Sequence, residues 1–257
     1  MSVTVSMPGY AKIKVANARG LVTEPCQRVL ETILESGTLY AHAASQPDAK
    51  QFKGRAPAFA IDLGGSCGRV VVRHAMRGGL LGRTGTDLFL PPTRGLRELV
   101  NSLRLRLSGV STPEVVAIVA YRAGPVLRRS DVATREIEES HDLAVVLGAM
   151  DDATDRQSCL KATGRLLGAM ARAGAHHPDL NARNVLITWD GNDGAKAHIL
   201  DVDRIRFHVP GDPMVSSANL DRLERSIAKL RTLGVVNATP DEVAAIRSAA
   251  AEQHRGP

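Results

Sequence analysis

His177-Pro178-Asp179-Leu180-Asn181-Ala182-Arg183-Asn184, followed by Ile199-Leu200-Asp201, is the stretch on which the reading of the fold turns. Phosphoryl transfer needs a carboxylate near the attacking hydroxyl and a rigid pair of oxygen ligands for magnesium on a nucleotide. Asp179, Asn184 five residues later, and Asp201 at the end of a following strand supply those three groups. Between them, Val185 to Trp189 reads as a short apolar strand, Asp190 to Gly194 as a turn, and Ala197 to Leu200 as the returning strand. Such a hairpin brings Asn184 and Asp201 back to one end. Upstream, Thr154 to Ala173 sets Leu160, Leu167 and Met170 at helical spacing beside small Gly164, Gly168 and Ala171. Gly174 is its stop.

Helix, loop, hairpin and acidic turn follow one another as in a kinase C-lobe. The expected fold is α+β, two-lobed and protein-kinase-like, with an antiparallel-sheet N-lobe and a short, mainly helical C-lobe. A chain of 257 residues is long enough for one such domain. The reading divides it into an extension of the small lobe over 1–50, an N-lobe over 51–138 and a C-lobe over 139–257. Aromatic residues make up 3%, so Leu, Val, Ile and Ala must fill the core. No apolar run approaches the roughly 20 residues that span a bilayer, and the N-terminus lacks a signal-peptide layout. Cys26, Cys67 and Cys159 are odd in number and follow no metal spacing, which predicts reduced thiols in a cytoplasm.

The net charge is +6, and the excess is local: eight Arg residues fall between Arg69 and Arg106 against only Asp87 and Glu98. No zinc-finger spacing or RNA-stacking motif accompanies them, so nucleic acid is not expected as a partner. An acidic substrate at a membrane surface fits better.

In the N-terminal half, Ala11 to Val15 alternates as a strand and Glu24 to Ser36 has helical spacing. Thr38 to Ala43 reads as the first strand of a sheet, with Ala58 to Leu63 and Arg69 to His74 following. Gly54, lying before the second of these, has the placement of a turn that covers nucleotide phosphates. Gly64, Gly65 and Gly68 read instead as a plain hairpin turn. Arg73 occupies the strand position where kinases carry a phosphate-touching lysine. Its partner is Glu98 on the helix Thr93 to Ser108, whose apolar stripe is Leu96, Leu99, Val100, Leu103 and Leu107. Two strands follow, over Pro113 to Tyr121 and Val126 to Ile137. Arg135 to Ser140 is the expected hinge for adenine, and Ser140 the expected cap of the next helix. Ser217 to Leu233 and a capped segment from Thr239 complete the helices.

At this point the chain resembles the lipopolysaccharide core kinases, in particular the Kdo (3-deoxy-D-manno-octulosonic acid) kinases, from about Phe52 to Leu230. Gly54-Arg55-Ala56 is similar to the family's Gly-Arg-Gly turn. Val72-Arg73-His74 with Arg77-Gly78-Gly79-Leu80 resembles its basic strand and Arg-Gly-Gly stretch. His177 to Asn184 resembles its catalytic loop, Ile199 to Arg204 its Ile-Asp-Phe-Asp-Arg, and Ala218-Asn219-Leu220 through Arg225-Ser226 and Lys229 its closing helix. Ala56 and Val202 depart from the family's Gly and Phe.

The resemblance implies transfer of phosphate from ATP, with Mg2+, to a sugar hydroxyl of the lipopolysaccharide inner core, Kdo on lipid A foremost. The acceptor is then an anionic, lipid A-linked sugar on the cytoplasmic face of the inner membrane, approached from the cytoplasm by a protein without a transmembrane segment. Asp179 acts on the hydroxyl, and Asn184 and Asp201 hold the metal. Gly54, Arg73 and Glu98 serve the nucleotide, and Arg77 meets the acceptor. A core heptose kinase, another small-molecule phosphotransferase and a nucleotide-binding pseudokinase are the alternatives.

Overall fold

The computed structural model describes residues 7–52, 56–75, 87–88, 94–150, 152–189 and 194–255. The chain divides into two compact units, Met1–Leu99 with Glu114–Glu136, and Val100–Pro113 with Ile137–Pro257. Among the described residues no helix is long and apolar enough to cross a membrane.

The first unit is a sheet covered by short helices. Its strands are β1 (Tyr10–Val15), β2 (Ala18–Thr23), β3 (Lys50–Phe52), β4 (Ala58–Asp62), β5 (Arg69–His74), β6 (Val115–Arg122) and β7 (Arg128–Arg135). They lie in the order β1-β2-β6-β7-β5-β4-β3, every neighbouring pair antiparallel. Residues before 50 thus add two strands to the edge of a five-stranded sheet. Helix α1 (Gln27–Ser36) buries Leu30, Ile33 and Leu34, an i, i+3, i+4 stripe in which each side chain contributes about 1.5–3 kcal/mol. Gly64, Gly65 and Gly68 turn the chain between β4 and β5, with Leu63 N–H bonded to Gly68 O at 3.1 Å.

Three expectations change here. Thr38 to Ala43 is not a strand: α2 spans Leu39–Ser45, with the Thr38 hydroxyl accepting from Ala41 N–H at 3.1 Å. Leu39 and Ala43, four apart, are both buried, so the helical period wins over the apparent alternation. Cys26 and Cys67 are not reduced thiols but form a disulfide between the start of α1 and the β4–β5 turn. Only Cys159, buried, is a free thiol. Helix α3 (Arg94–Leu107) turns a different face inward: Gly95, Glu98, Leu99, Ser102 and Leu105 are buried, whereas Val100 and Leu107 are exposed.

The second unit is mainly helical. It comprises the end of α3, β8 (His141–Asp142), α4 (Leu143–Ala149), α5 (Ala153–Arg172), β9 (Ala175–His176), β10 (Val185–Trp189), β11 (Ala195–Ile199), β12 (Arg206–Phe207), α6 (Pro213–Thr232) and α7 (Pro240–Arg255). Asp142, not Ser140, caps α4, accepting from Val145 N–H at 2.9 Å. The Ser140 hydroxyl instead donates to Ile137 O at 2.6 Å. Gly164 and Gly168 of α5 let α7 approach closely. A Cβ at Gly164 would stand 2.5 Å from the Ala249 Cβ and 2.6 Å from Ile246 O. Thr239 and Glu242 close a reciprocal capping box at the start of α7.

Candidate active site

The site in the second unit is built from the backbone of one loop. Gly174, at φ 65°, ends α5 and lies so close to the His208 carbonyl that a Cβ would meet it at 2.4 Å. The short pairing of β9 with β12 delivers the chain to His177, which is fully buried. Its Nε2 lies 3.0 Å from Leu200 O, and its Nδ1 is 3.2 Å from the Asp179 amide nitrogen. A carbonyl only accepts and an amide only donates, so the proton sits on Nε2 and Nδ1 is bare. Burial holds the ring pKa below its ordinary value, consistent with that neutral form. His177 therefore ties the backbone at Asp179 to the segment just before Asp201.

The rest of the loop is self-bracing. Asn181 accepts from Arg183 N–H at 3.0 Å and donates to Asp179 O at 2.9 Å. This caps a 3₁₀ turn over Ala182–Asn184. Asn184 Nδ2 donates to Asp179 O at 3.2 Å, which fixes its amide with Oδ1 as the remaining donor atom for a ligand. Strands β10 and β11 pair from Val185↔Ile199 to Trp189↔Ala195, and Leu200 N–H reaches Asn184 O at 2.8 Å. Asp201 follows at once, at φ 54° and ψ 45°. That left-handed conformation is sparsely populated by residues with a side chain, and here it opens a 3₁₀ turn over Val202–Arg204. Asn101 Nδ2 holds this turn through Val202 O at 2.8 Å. One carboxamide oxygen and one carboxylate are hard oxygen donors of the kind Mg2+ takes.

Asp179 projects to the surface with an arginine at each oxygen. Arg204 pairs with Oδ2, and Arg222 Nη2 lies 3.3 Å from Oδ1. Arg204 closes the segment that resembles the family's Ile-Asp-Phe-Asp-Arg, but neither arginine was given a role from sequence. Arg222 shares a stripe of α6 with Asn219 and Ser226, and both of those anchor the loop. Asn219, fully buried, accepts from His177 N–H at 3.0 Å and donates to Ala175 O at 2.9 Å. Ser226 Oγ accepts from Ala182 N–H at 3.2 Å. The spacing 219, 222, 226 was the available signal, since a buried Asn at the head of such a stripe needs polar partners.

In the first unit, Arg73 on β5 forms an ion pair with Glu98 of α3, whose side chain is buried. Beside it, His74 sits between two carboxylates. Its Nδ1 is 2.6 Å from Asp131 Oδ1, and its Nε2 is 3.0 Å from Asp87 Oδ2. The bond to Asp131 is the main reason its pKa lies above the ordinary value; burial opposes this and Asp87 adds to it. Asp131, fully buried, also accepts from Tyr40 N–H at 3.0 Å. Gly54 and Arg77 lie outside the described residues.

Residues 62–247 match the model of the lipopolysaccharide kinase (Kdo/WaaP) family. A 3-deoxy-D-manno-octulosonic acid kinase of Stenotrophomonas maltophilia (strain K279a) is 32% identical over 202 residues, 76% of each chain. One from Vibrio parahaemolyticus is 31% identical over 165 residues, 63% of this chain and 65% of its own. Among solved structures, one described as WaaP in complex with acyl carrier protein superposes with a TM-score of 0.58 at 17% identity, covering 93% of this chain and 90% of that one. At that identity the likeness speaks for the fold alone.

Proposed function

The chain belongs to the lipopolysaccharide kinase (Kdo/WaaP) family, and from that premise we propose that it phosphorylates a hydroxyl of Kdo carried on lipid A, using ATP and Mg2+. It is a phosphotransferase with an alcohol group as acceptor. The observation that carries the reading is the loop closure: Leu200 N–H to Asn184 O, and His177 between Asp179 and Leu200. These bonds tie the segment that carries Asp179 and Asn184 to the segment that leads into Asp201, which supports the reading.

In this reading Asp179 orients the acceptor hydroxyl and takes its proton, worth roughly a hundred- to ten-thousandfold in rate. Asn184 Oδ1 and the Asp201 carboxylate hold the magnesium ion, which when bound neutralises charge on the nucleotide phosphates. Arg73 meets those phosphates bidentately where other kinases use lysine, and Glu98 positions it. Gly54 covers the phosphates, the backbone of the 135–140 segment takes adenine, and Arg77 serves the acceptor. The eight arginines between Arg69 and Arg106 draw the protein to the anionic face of the inner membrane from the cytoplasm.

Labelled ATP offered with Kdo-lipid A, a heptose-bearing core oligosaccharide and an aminoglycoside in parallel tests this. Label on the Kdo-bearing lipid supports the reading. Label on the heptose alone or the aminoglycoside alone, or on none of the three, overturns it.

A further inference from the structure

Asp179 carries two guanidinium groups that the chemistry assigned to it does not use. Arg204 lies at one carboxylate oxygen and Arg222 at the other, and the three side chains are 56%, 43% and 43% exposed for Arg204, Arg222 and Asp179. An ion pair in that much water contributes about 0–1 kcal/mol, so these contacts are not what holds the fold together. Their supports are nevertheless rigid. Arg222 stands one turn beyond the fully buried Asn219, and Arg204 ends the turn pinned by Asn101. Each guanidinium has five N–H donors, of which Asp179 takes one from each arginine. Exposed and mostly unused donors, carried on anchored backbone on both sides of a candidate base, are suited to an anion that arrives with the hydroxyl.

Electrostatics demands such a group. Asp179, Asp201 and Asp203 put three carboxylates on this loop and turn. An anionic acceptor approaching them meets repulsion unless local cations reverse the field. A sugar acid whose hydroxyl comes within about 2.6–3.2 Å of Asp179 brings its own carboxylate into the space beside that residue.

We propose that Arg204 and Arg222 form the carboxylate subsite for the acceptor, gripping the sugar acid by charge-assisted bonds as they let go of Asp179. The resting ion pairs hold the subsite in shape and leave Asp179 free for the hydroxyl once the acceptor is seated. Selectivity for an acid over a neutral sugar then originates at these two arginines. This rests on the catalytic role given to Asp179 above.

The test is steady-state transfer to Kdo-lipid A and to its Kdo methyl ester. Wild type, Arg222→Gln, Arg222→Lys and Arg204→Gln are compared, with the ATP KM recorded for each as evidence of an intact fold. Wild type should prefer the acid. Arg222→Gln and Arg204→Gln should raise the acid's KM roughly ten- to a hundredfold with the ATP KM unchanged, and bring the acid-to-ester ratio towards one. Arg222→Lys, retaining charge without the fork, should keep part of the preference. An acid-to-ester ratio in both Gln variants equal to that of wild type, or no preference in wild type, overturns the subsite. Asp179→Asn separates the two claims. Loss of transfer to both acceptors with an unchanged ratio in the Arg variants sinks the subsite alone, whereas full transfer by Asp179→Asn sinks the catalytic reading beneath it.

Discussion

The side chain of Asn219 accepts the His177 amide hydrogen at 3.0 Å, binding the long helix α6 to the loop that carries Asp179. Asn219 Nδ2 in turn donates to Ala175 O at 2.9 Å, so one buried side chain satisfies the backbone on both sides of His176. Asn219→Ala leaves two buried polar groups unpaired, at about 1–3 kcal/mol each. The expected result is a marked fall in thermal stability together with a lower kcat. Calorimetry and turnover measured on one preparation check it, and an unchanged midpoint would show the anchor to be dispensable.

The disulfide between Cys26 and Cys67 closes a loop across 41 positions. Its removal should cost about 2–4 kcal/mol, chiefly by freeing the unfolded chain. Thiol titration of the native protein in denaturant without reductant should find one thiol, from Cys159, and three after reduction. The double variant Cys26→Ser, Cys67→Ser should melt several degrees lower. Three titratable thiols before reduction would contradict the pairing.

Glu98 is buried against Arg73. Removing its charge by Glu98→Gln leaves the guanidinium without its positioning partner, and ATP affinity should drop roughly tenfold. The acceptor KM should hardly move. Titration calorimetry with a non-hydrolysable ATP analogue measures the first effect; equal affinity in both proteins would remove Glu98 from the nucleotide machinery.

Two histidines should bend the stability curve in opposite directions. His74, raised chiefly by its bond to Asp131, stabilises the fold fully below the ordinary value of about 6.5. That contribution disappears as pH climbs through the elevated native pKa. His198 is half-buried near Lys196, with Ser111 Oγ 2.8 Å from Nδ1, and its pKa is lowered to about 4, mainly by desolvation. The unfolded chain binds its proton first, so stability is lost as pH falls from about 6.5 towards about 4. Thermal midpoints followed from about pH 4 to well above 6.5 should flatten above about 6.5 in His74→Gln and between about 6.5 and about 4 in His198→Gln. Limbs unchanged by either substitution would refute the assignment.

Sequence patterns reached the parts of this molecule where local chemistry decides local shape. The hairpin between Asn184 and Asp201 was legible because apolar strands flank a run of turn residues, and the antiparallel register bears it out. Helices α5 and α6 showed in their periodicity and α7 in its cap, although α6 starts at Pro213, ahead of the expected Ser217. What escaped depends on residues distant along the chain. Thr38 to Ala43 alternates like a strand, yet Leu39 N–H finds the Tyr121 hydroxyl and Tyr40 N–H finds Asp131, 82 and 91 positions away. Three cysteines without metal spacing carry no sign of which two pair. The arginines around Asp179 come from 25 and 43 residues downstream, and the stripe 219, 222, 226 on α6 is the one local sign of Arg222.

Phosphate transfer from labelled ATP to Kdo-lipid A by Asp179→Asn, set beside wild type at saturating nucleotide, is the most direct measurement of the central claim. Turnover should fall at least about a hundredfold while ATP analogue binding stays at the wild-type level. Transfer at an undiminished rate, or wild-type protein that binds nucleotide but never labels the lipid, would contradict it.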